Sequence, residues 1–229
     1  MHARLISHSQ PSGRIHTGES VNGLDNIQDL IAYCARVSNP SNQINSATTP
    51  KLLSYLIKHK HWSPFEMASA CIEIETTRDI ARQILRHRSF SFQEFSQRYA
   101  DVRDLGDNFV LREARLQDTK NRQNSIETNN EWLQNEWNRR QQEIIDLVKK
   151  HYDWAVSEEV GIAKEQARAI LPEGNTVSRL YVNGTIRSWI HFIELRSANG
   201  TQKEHMEVAR AVADAISKIY PEVTNFISE

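Results

Sequence analysis

The sequence predicts one α+β domain, mostly helical in its second half. Three observations predict it. Apolar residues recur at helical spacing in several separate segments, most clearly between Thr201 and Tyr220. An alternating run, Ala68 to Glu75, reads as a strand with Ala70, Ile72 and Ile74 on its core face. No internal repeat or linker divides the 229 residues, a length that suits one core.

The elements follow in order. Val21 to Arg36 carries a helical stripe of Leu24, Ile27, Leu30 and Ile31. After a polar turn, Thr49 caps a second helix whose first turn accepts Pro50, with Leu52, Leu53, Leu56 and Ile57 on one side. Ser63 and Glu66 form a capping box around Pro64. The strand comes next. Thr77 then caps a helix to about His87, with Ile80, Ala81, Ile84 and Leu85 as its buried stripe. Residues 107–130 form a polar insertion; 117–131 read as a mobile loop or a helix entry. A long helix follows, with Leu133, Trp137, Ile144, Val148, Tyr152 and Ala155 at helical spacing. Trp132, Trp137 and Trp154 on it belong to the core or to a subunit interface. Lys164 to Leu171 is a short helix stopped at Pro172-Glu173-Gly174, and Val182 to Leu195 is a strand entering a helix. The last helix turns Met206, Ala209, Val212, Ala213, Ile216 and Ile219 inward.

Composition excludes several classes of function. A net charge of -1 gives no basic footprint for general nucleic-acid binding. No apolar run approaches the roughly 20 residues of a membrane span, and the first ten residues lack the apolar stretch of a secretory signal. Cys34 and Cys71 sit in apolar company without CxxC spacing, as reduced core thiols of a cytoplasmic protein do. His59, His61 and the cysteines lack the spacing of zinc ligands, so no metal is expected.

Residues 86–98 read R-H-R-S-F-S-F-Q-E-F-S-Q-R. The phenylalanines ask for burial while arginine is costly to bury unpaired. Such a stretch is either a satisfied structural corner or a pocket for an anion. Between Lys60 and Lys120 there are eight arginines and no lysine; between Lys164 and Lys203 only Arg168, Arg179, Arg187 and Arg196 carry positive charge. Forked guanidinium donors suit phosphate and planar acceptors. Pairing with Glu66, Glu73, Glu75 and Glu94 is the ordinary alternative. Neither a G-x-G-x-x-G nor a Walker lysine motif is present, so side chains would hold a nucleotide. A helical RNA- or nucleotide-binding module that stacks and clamps with the Arg/Phe segment is the competing reading.

Arg86, His87, Arg88 and Ser96 spell R-H-R-x7-S, and the segment resembles that motif of the flavin-dependent thymidylate synthase family. The resemblance extends to A-R-V-S (35–38), K-H-W-S-P-F-E (60–66) and A-R-Q-I-L before Arg86. It returns at A-R-A-I-L-P (167–172), I-R-S-W (186–189), E-L-R (194–196) and Q-K-E (202–204). It implies a helix-rich α+β domain with a small, mostly antiparallel sheet. It also implies a methyltransferase that converts dUMP to dTMP in a homotetramer with shared active sites. Methylenetetrahydrofolate would be the carbon donor and NADPH the reductant, acting through FAD without a cysteine nucleophile. By position it places Ser38, His61, Ser63, Glu66, Arg86, His87, Arg88, Glu94, Arg187 and His191 at the flavin. Gln83, Arg86, Glu94, Ser96, Gln97, Arg98, Arg168 and Arg196 would hold dUMP, and the resemblance implies that Arg196 is the catalytic residue, polarising the uracil. His191 stands where asparagine is common in the family, and Tyr181 or Asn183 are alternative contacts from a slightly longer connection.

Overall fold

A computed structural model describes residues 1–12, 24–106 and 108–228. Its strands are β1 (His2–His8), β2 (Ser69–Thr77), β3 (Ser91–Glu94), β4 (Arg115–Gln117), β5 (Ser125–Glu127) and β6 (Val177–Thr185). Its helices are α1 (Ile27–Ala35), α2 (Thr49–Lys58), α3 (Arg78–Ile84), α4 (Glu131–Val156), α5 (Lys164–Ala167), α6 (Ile186–Ser197) and α7 (Lys203–Ser217). Residues 21–23, where the first predicted helix begins, lie outside the described residues.

The main sheet runs β1-β2-β6-β3 with every neighbouring pair antiparallel. The alternation seen from Ala68 onward continues to Thr77, which buries Ala70, Ile72, Ile74 and Thr76 on one face. α7 packs beneath β1 and β2, and α6 lies beside α7. Between sheet and helices sits a core of Ile72, Ile74, Leu180, Val182, Trp189, Phe192, Val208 and Val212, closed below by Ile27, Ile31, Leu53 and Phe65. A smaller cluster under α4 gathers Val102, Tyr152, Ala155, Ala167 and Leu171.

Two strands run directly into helices, and this geometry sets up the site. β2 turns into α3 at the end of the sheet where β6 begins, because Thr77 pairs with Val177. α3 then carries the chain back along the sheet, so that Ser91 starts β3 opposite Asn183, near the point where β6 becomes α6. The turn 85–90, which holds the R-H-R motif, is therefore set down against α6. The Ser188 hydroxyl donates to the Ser89 carbonyl across that contact, at 3.3 Å.

Several local expectations need correction. Thr49 is the first helical residue of α2 and caps nothing; its hydroxyl donates to the buried Asp29 at 2.9 Å and ties α2 to α1. Ser63 and Glu66 form no capping box, because Glu66 is ion-paired with Arg187, and a charged partner outcompetes a backbone N–H. Thr77 sits at the cap position of α3, but its hydroxyl goes to Asp79. α3 ends at Ile84, and His87 lies in the turn beyond it. The short helix predicted from Lys164 tightens into a 3-10 turn after Ala167. Within 117–131, the strands β4 and β5 pair as a hairpin, where a loop or helix entry was expected. On α4, Ile145 is buried while Trp137 and Ile144 are exposed, and on α7 His205 and Val208 point inward ahead of Met206.

Candidate active site

His87 and Arg196 form the centre. Arg196 Nε donates to His87 Nε2 at 2.9 Å, so His87 is the neutral acceptor in the pair. Phe192 on α6 holds the imidazole edge-on, with ring centroids 5.1 Å apart. Burial, then the charge of Arg196, then His191 push the His87 pKa down to about 4. Burial and the neighbouring Arg86 lower the pKa of Arg196 as well. A salt bridge from Arg196 to Glu194 or Glu204, its ordinary alternative, does not form among the described residues. The four glutamates weighed as arginine partners do pair with arginines, three of them with arginines from the lysine-free stretches. Glu66 pairs with Arg187, Glu73 with Arg4, Glu75 with Arg179 and Glu94 with Arg78. Among the described residues, Arg86, Arg88 and Arg196 have no carboxylate partner. Arg86 and Arg196 are neighbours, and their paired positive charge without a counter-ion would stabilise an anion there.

A cleft of about 370 Å³ opens beside this centre, lined by Trp62, Glu66, Ser89, Arg187, His191 and Glu194 among others. It adjoins a wider one bearing Ala35, Lys60, His61, Ser63 and Pro64, with Trp62 and Arg187 common to both. Six expected flavin residues, His61, Ser63, Glu66, Arg187, His191 and His87, thus fall in one neighbourhood, and Ala35 brings the block that contains Ser38 to its rim. Ser38 is exposed there, as is Arg88 on the motif turn. Lys60, between His59 and His61, adopts a left-handed backbone with φ 56°, a strain that non-glycine residues bear when their surroundings fix it. Another cavity, about 510 Å³ and lined by Met1, Glu75, Arg112, Glu113 and Glu207 among others, contains none of the expected residues. Its volume is larger than that of the first cleft, but the residues expected at the flavin line the first.

The expected nucleotide contacts divide into two groups. Gln83 lies beside the His87 centre, its amide bonded to Gln202 and His205. Arg98 and Arg168 converge elsewhere, on Glu165: Arg98 pairs with its carboxylate at 3.4 Å and Arg168 Nε donates to its carbonyl at 3.2 Å. Between the groups runs Glu94, which accepts from Ser178 at 2.9 Å. Ser96 is half-buried, and its carbonyl accepts from the amides of Tyr99 and Ala100. Gln97 is buried with its amide nitrogen unpartnered. A buried donor without a partner costs about 1–3 kcal/mol, which a ligand acceptor would recover. No hydrogen bond or ion pair among the described residues joins the Arg98–Arg168 group to the Arg86–Arg196 group. Tyr181 and Asn183 stand exposed on β6.

Burial raises the pKa of both Cys34 and Cys71, which keeps the thiols protonated. Sequence reasoning missed Gln202 and His205. His205 lies on the buried stripe of α7, four residues before Ala209 and seven before Val212, and a titratable residue on such a stripe was the available signal.

Guanidinium groups free of carboxylates beside an apolar-walled cleft are the donor set that an anionic, ring-bearing ligand requires. The reading narrows through likeness to known proteins. The family model described as thymidylate synthase complementing protein matches residues 21–222. A probable flavin-dependent thymidylate synthase of Paramecium bursaria Chlorella virus 1 is 48% identical over 223 residues, 97% of this chain and 97% of that one. The flavin-dependent thymidylate synthase of Synechocystis sp. is 47% identical over the same share of both. The fold is also that of PolB, a UMP/dUMP methylase from Streptomyces cacaoi solved with 5-Br dUMP. That match has a TM-score of 0.77 at 24% identity, covering 98% of this chain and 93% of PolB. The chain belongs to the flavin-dependent thymidylate synthase family, and it is an enzyme.

Proposed function

We propose that the enzyme converts dUMP to dTMP with FAD as its cofactor. The methylene carbon of methylenetetrahydrofolate becomes the C5 methyl group, C5 gives up its proton, and NADPH supplies the hydride. The products are dTMP, tetrahydrofolate and NADP+. The observation that carries this reading is Arg196, beside Arg86 and without a carboxylate partner among the described residues, donating to the neutral His87.

The donor set suits FAD, which brings two phosphates and a planar ring system. Arg86, Arg88 and Arg187 would meet its negative charge, and His61, Ser63, Ser38 and His191 would hydrogen-bond it, with His87, Glu66 and Glu94 orienting these donors. When bound, the flavin supplies the hydride chemistry that no side chain offers. The protein supplies position and charge. Arg196 faces the pyrimidine and stabilises negative charge on its carbonyl oxygens, which raises electron density at C5. His87 accepts from Nε and so aims the guanidinium. Arg98 and Arg168 take the nucleotide phosphate in place of Glu165, while Gln83, Ser96 and the orphaned amide of Gln97 hold the rest.

The separation of the two arginine groups within one chain supports a homotetramer in which different copies complete each site. The whole chain acts as one domain in the cytoplasm. Among the described residues no helix is long and apolar enough to cross a membrane.

The decisive experiment is anaerobic. The purified protein with added FAD should be yellow, lose its flavin absorbance on NADPH addition, and release tritium from 5-tritiated dUMP as dTMP forms. A protein that takes up no flavin would refute the reading. A reducible flavoprotein that leaves dUMP unchanged would move it to another nucleotide.

A further inference from the structure

Behind the site runs a chain of four side chains, Glu204, Gln202, Gln83 and His205, of which the reaction as described uses only Gln83. Glu204 is buried at the start of α7 and held by two arginines from the polar insertion. Arg115 donates to both of its oxygens at 2.7 and 2.9 Å, and Arg112 approaches within 3.1 Å. Burial alone would raise its pKa, but its own helix-terminal amide, Arg112, Gln202 and Arg115 hold it below the usual carboxylate range. A carboxylate held ionised can only accept, and this fixes each bond that follows. Gln202 Nε2 donates to Glu204 at 3.0 Å, so Gln202 turns its oxygen to Gln83. Gln83 Nε2 donates to that oxygen at 3.0 Å, so Gln83 turns its own oxygen to His205. His205 Nδ1 lies 3.1 Å from it and must carry the proton.

The consequence is that His205 Nε2 is a bare lone pair. This nitrogen is fully buried and has no partner. Its ring packs on Phe192, with centroids 5.6 Å apart, and stands edge-on to His87 at 6.5 Å. The charge of Arg196 acts on it, after burial, to push its pKa down to about 3. Arg196 gives its Nε hydrogen to His87 and keeps its terminal amino groups. We propose that His205 is a positioning residue for Arg196. On this view its Nε2, unpartnered in this structure, is the second acceptor beside His87 that the Arg196 guanidinium takes up when it turns to the substrate. The one-way chain from Glu204 through Gln202 and Gln83 holds His205 in the Nδ1–H tautomer. The inference rests on the proposed role of Arg196. It also gives the insertion a role, because Arg112 and Arg115 keep Glu204 charged and so set the direction of the chain.

The test reads the tautomer apart from the activity. In protein labelled with 15N-histidine, the ring nitrogens of His205 should show hydrogen on Nδ1 only. Gln202→Leu, which cuts the chain at a half-buried position, should leave a mixture of tautomers. His205→Phe should lower kcat about tenfold or more, the scale of one hydrogen bond to a charged group. The KM for NADPH and the bound flavin should stay unchanged. His205→Gln, which keeps an acceptor at the same reach, should restore most of the turnover. An Nε2–H tautomer in the wild-type protein overturns the proposal, as does full kcat in His205→Phe. Should His205→Phe fail to fold, an unaltered tautomer in Gln202→Leu would overturn it alone. Absence of dTMP formation in the wild type would instead strike at the proposed reaction, and the tautomer would still decide the chain.

Discussion

Arg196 shows how much a single residue's surroundings matter. In the sequence it is one arginine with acids two residues before and eight after; in the fold neither acid pairs with it, and a neutral imidazole does. Its charge is therefore available to a substrate. Arg196→Ala should cut turnover far more than flavin content, and normal turnover would remove its polarising role. Arg98 is exposed and only loosely paired. Arg98→Ala should weaken dUMP binding by about 1.5–3 kcal/mol, the range for hydrogen bonds to a charged group, with FAD still bound; a titration with unchanged affinity would take Arg98 out of the site. His87 and His205 both have folded pKa values well below that of a free histidine. The unfolded chain binds their protons first, so stability is full above about pH 6.5 and declines as pH falls towards 4. Carboxylates join only near the lower end of that window. Thermal melts between pH 7 and 5 should show this slope, and it should be shallower in His205→Gln. Equal slopes would mean that His205 is not held neutral.

Among the elements, the turn 85–90 depends on a neighbour that no motif marks. A Cβ added at Gly184 on β6 would lie 2.3 Å from Phe90 Cδ1 and 2.5 Å from Cε1. Phe90 cannot retreat, because Trp189 packs against it at 4.5 Å. The absent side chain of Gly184 is what lets Phe90 seat the R-H-R turn on the sheet. Gly184→Ala should cost about 1–3 kcal/mol, as overpacking does, and weaken flavin binding. Adding Phe90→Leu should recover part of both, read by melting and by flavin titration; a Gly184→Ala protein that melts and binds like wild type would show the contact to be unimportant. Element legibility followed the same logic. β2 and α7 were readable because each buries one clean face, with period 2 or 3.6. α4 was legible as a helix, with Tyr152 and Ala155 buried as their spacing suggests, but it carries two apolar stripes, and spacing cannot tell which one the chain itself covers.

At the scale of the molecule, that second stripe bears on assembly. Trp132, Ile144, Leu147 and Trp154 are 72, 56, 55 and 59% exposed on α4. Bare apolar side chains along one helix mark an interaction face, and the proposed homotetramer would use such a face to bring the two arginine groups together. If the proposed homotetramer forms through α4, Ile144→Glu with Leu147→Glu should dissociate it in light scattering, abolish dTMP formation and leave the far-UV circular dichroism intact. An active variant of unchanged mass would show that α4 plays no part in assembly.

The sequence by itself determined the order of the main elements, the core faces of β2 and α7, and the R-H-R-x7-S segment with its neighbouring blocks. These are local: hydrophobic period and residue type are written in consecutive positions. Only the tertiary structure decided which arginines keep their charge free, that Glu66 serves Arg187 and not a helix cap, and that Glu204 reaches His205 through two glutamines. Those outcomes turn on which groups share a buried volume. Residues more than a hundred positions apart, such as His87 and Arg196, become partners only when the sheet and helices have set them there.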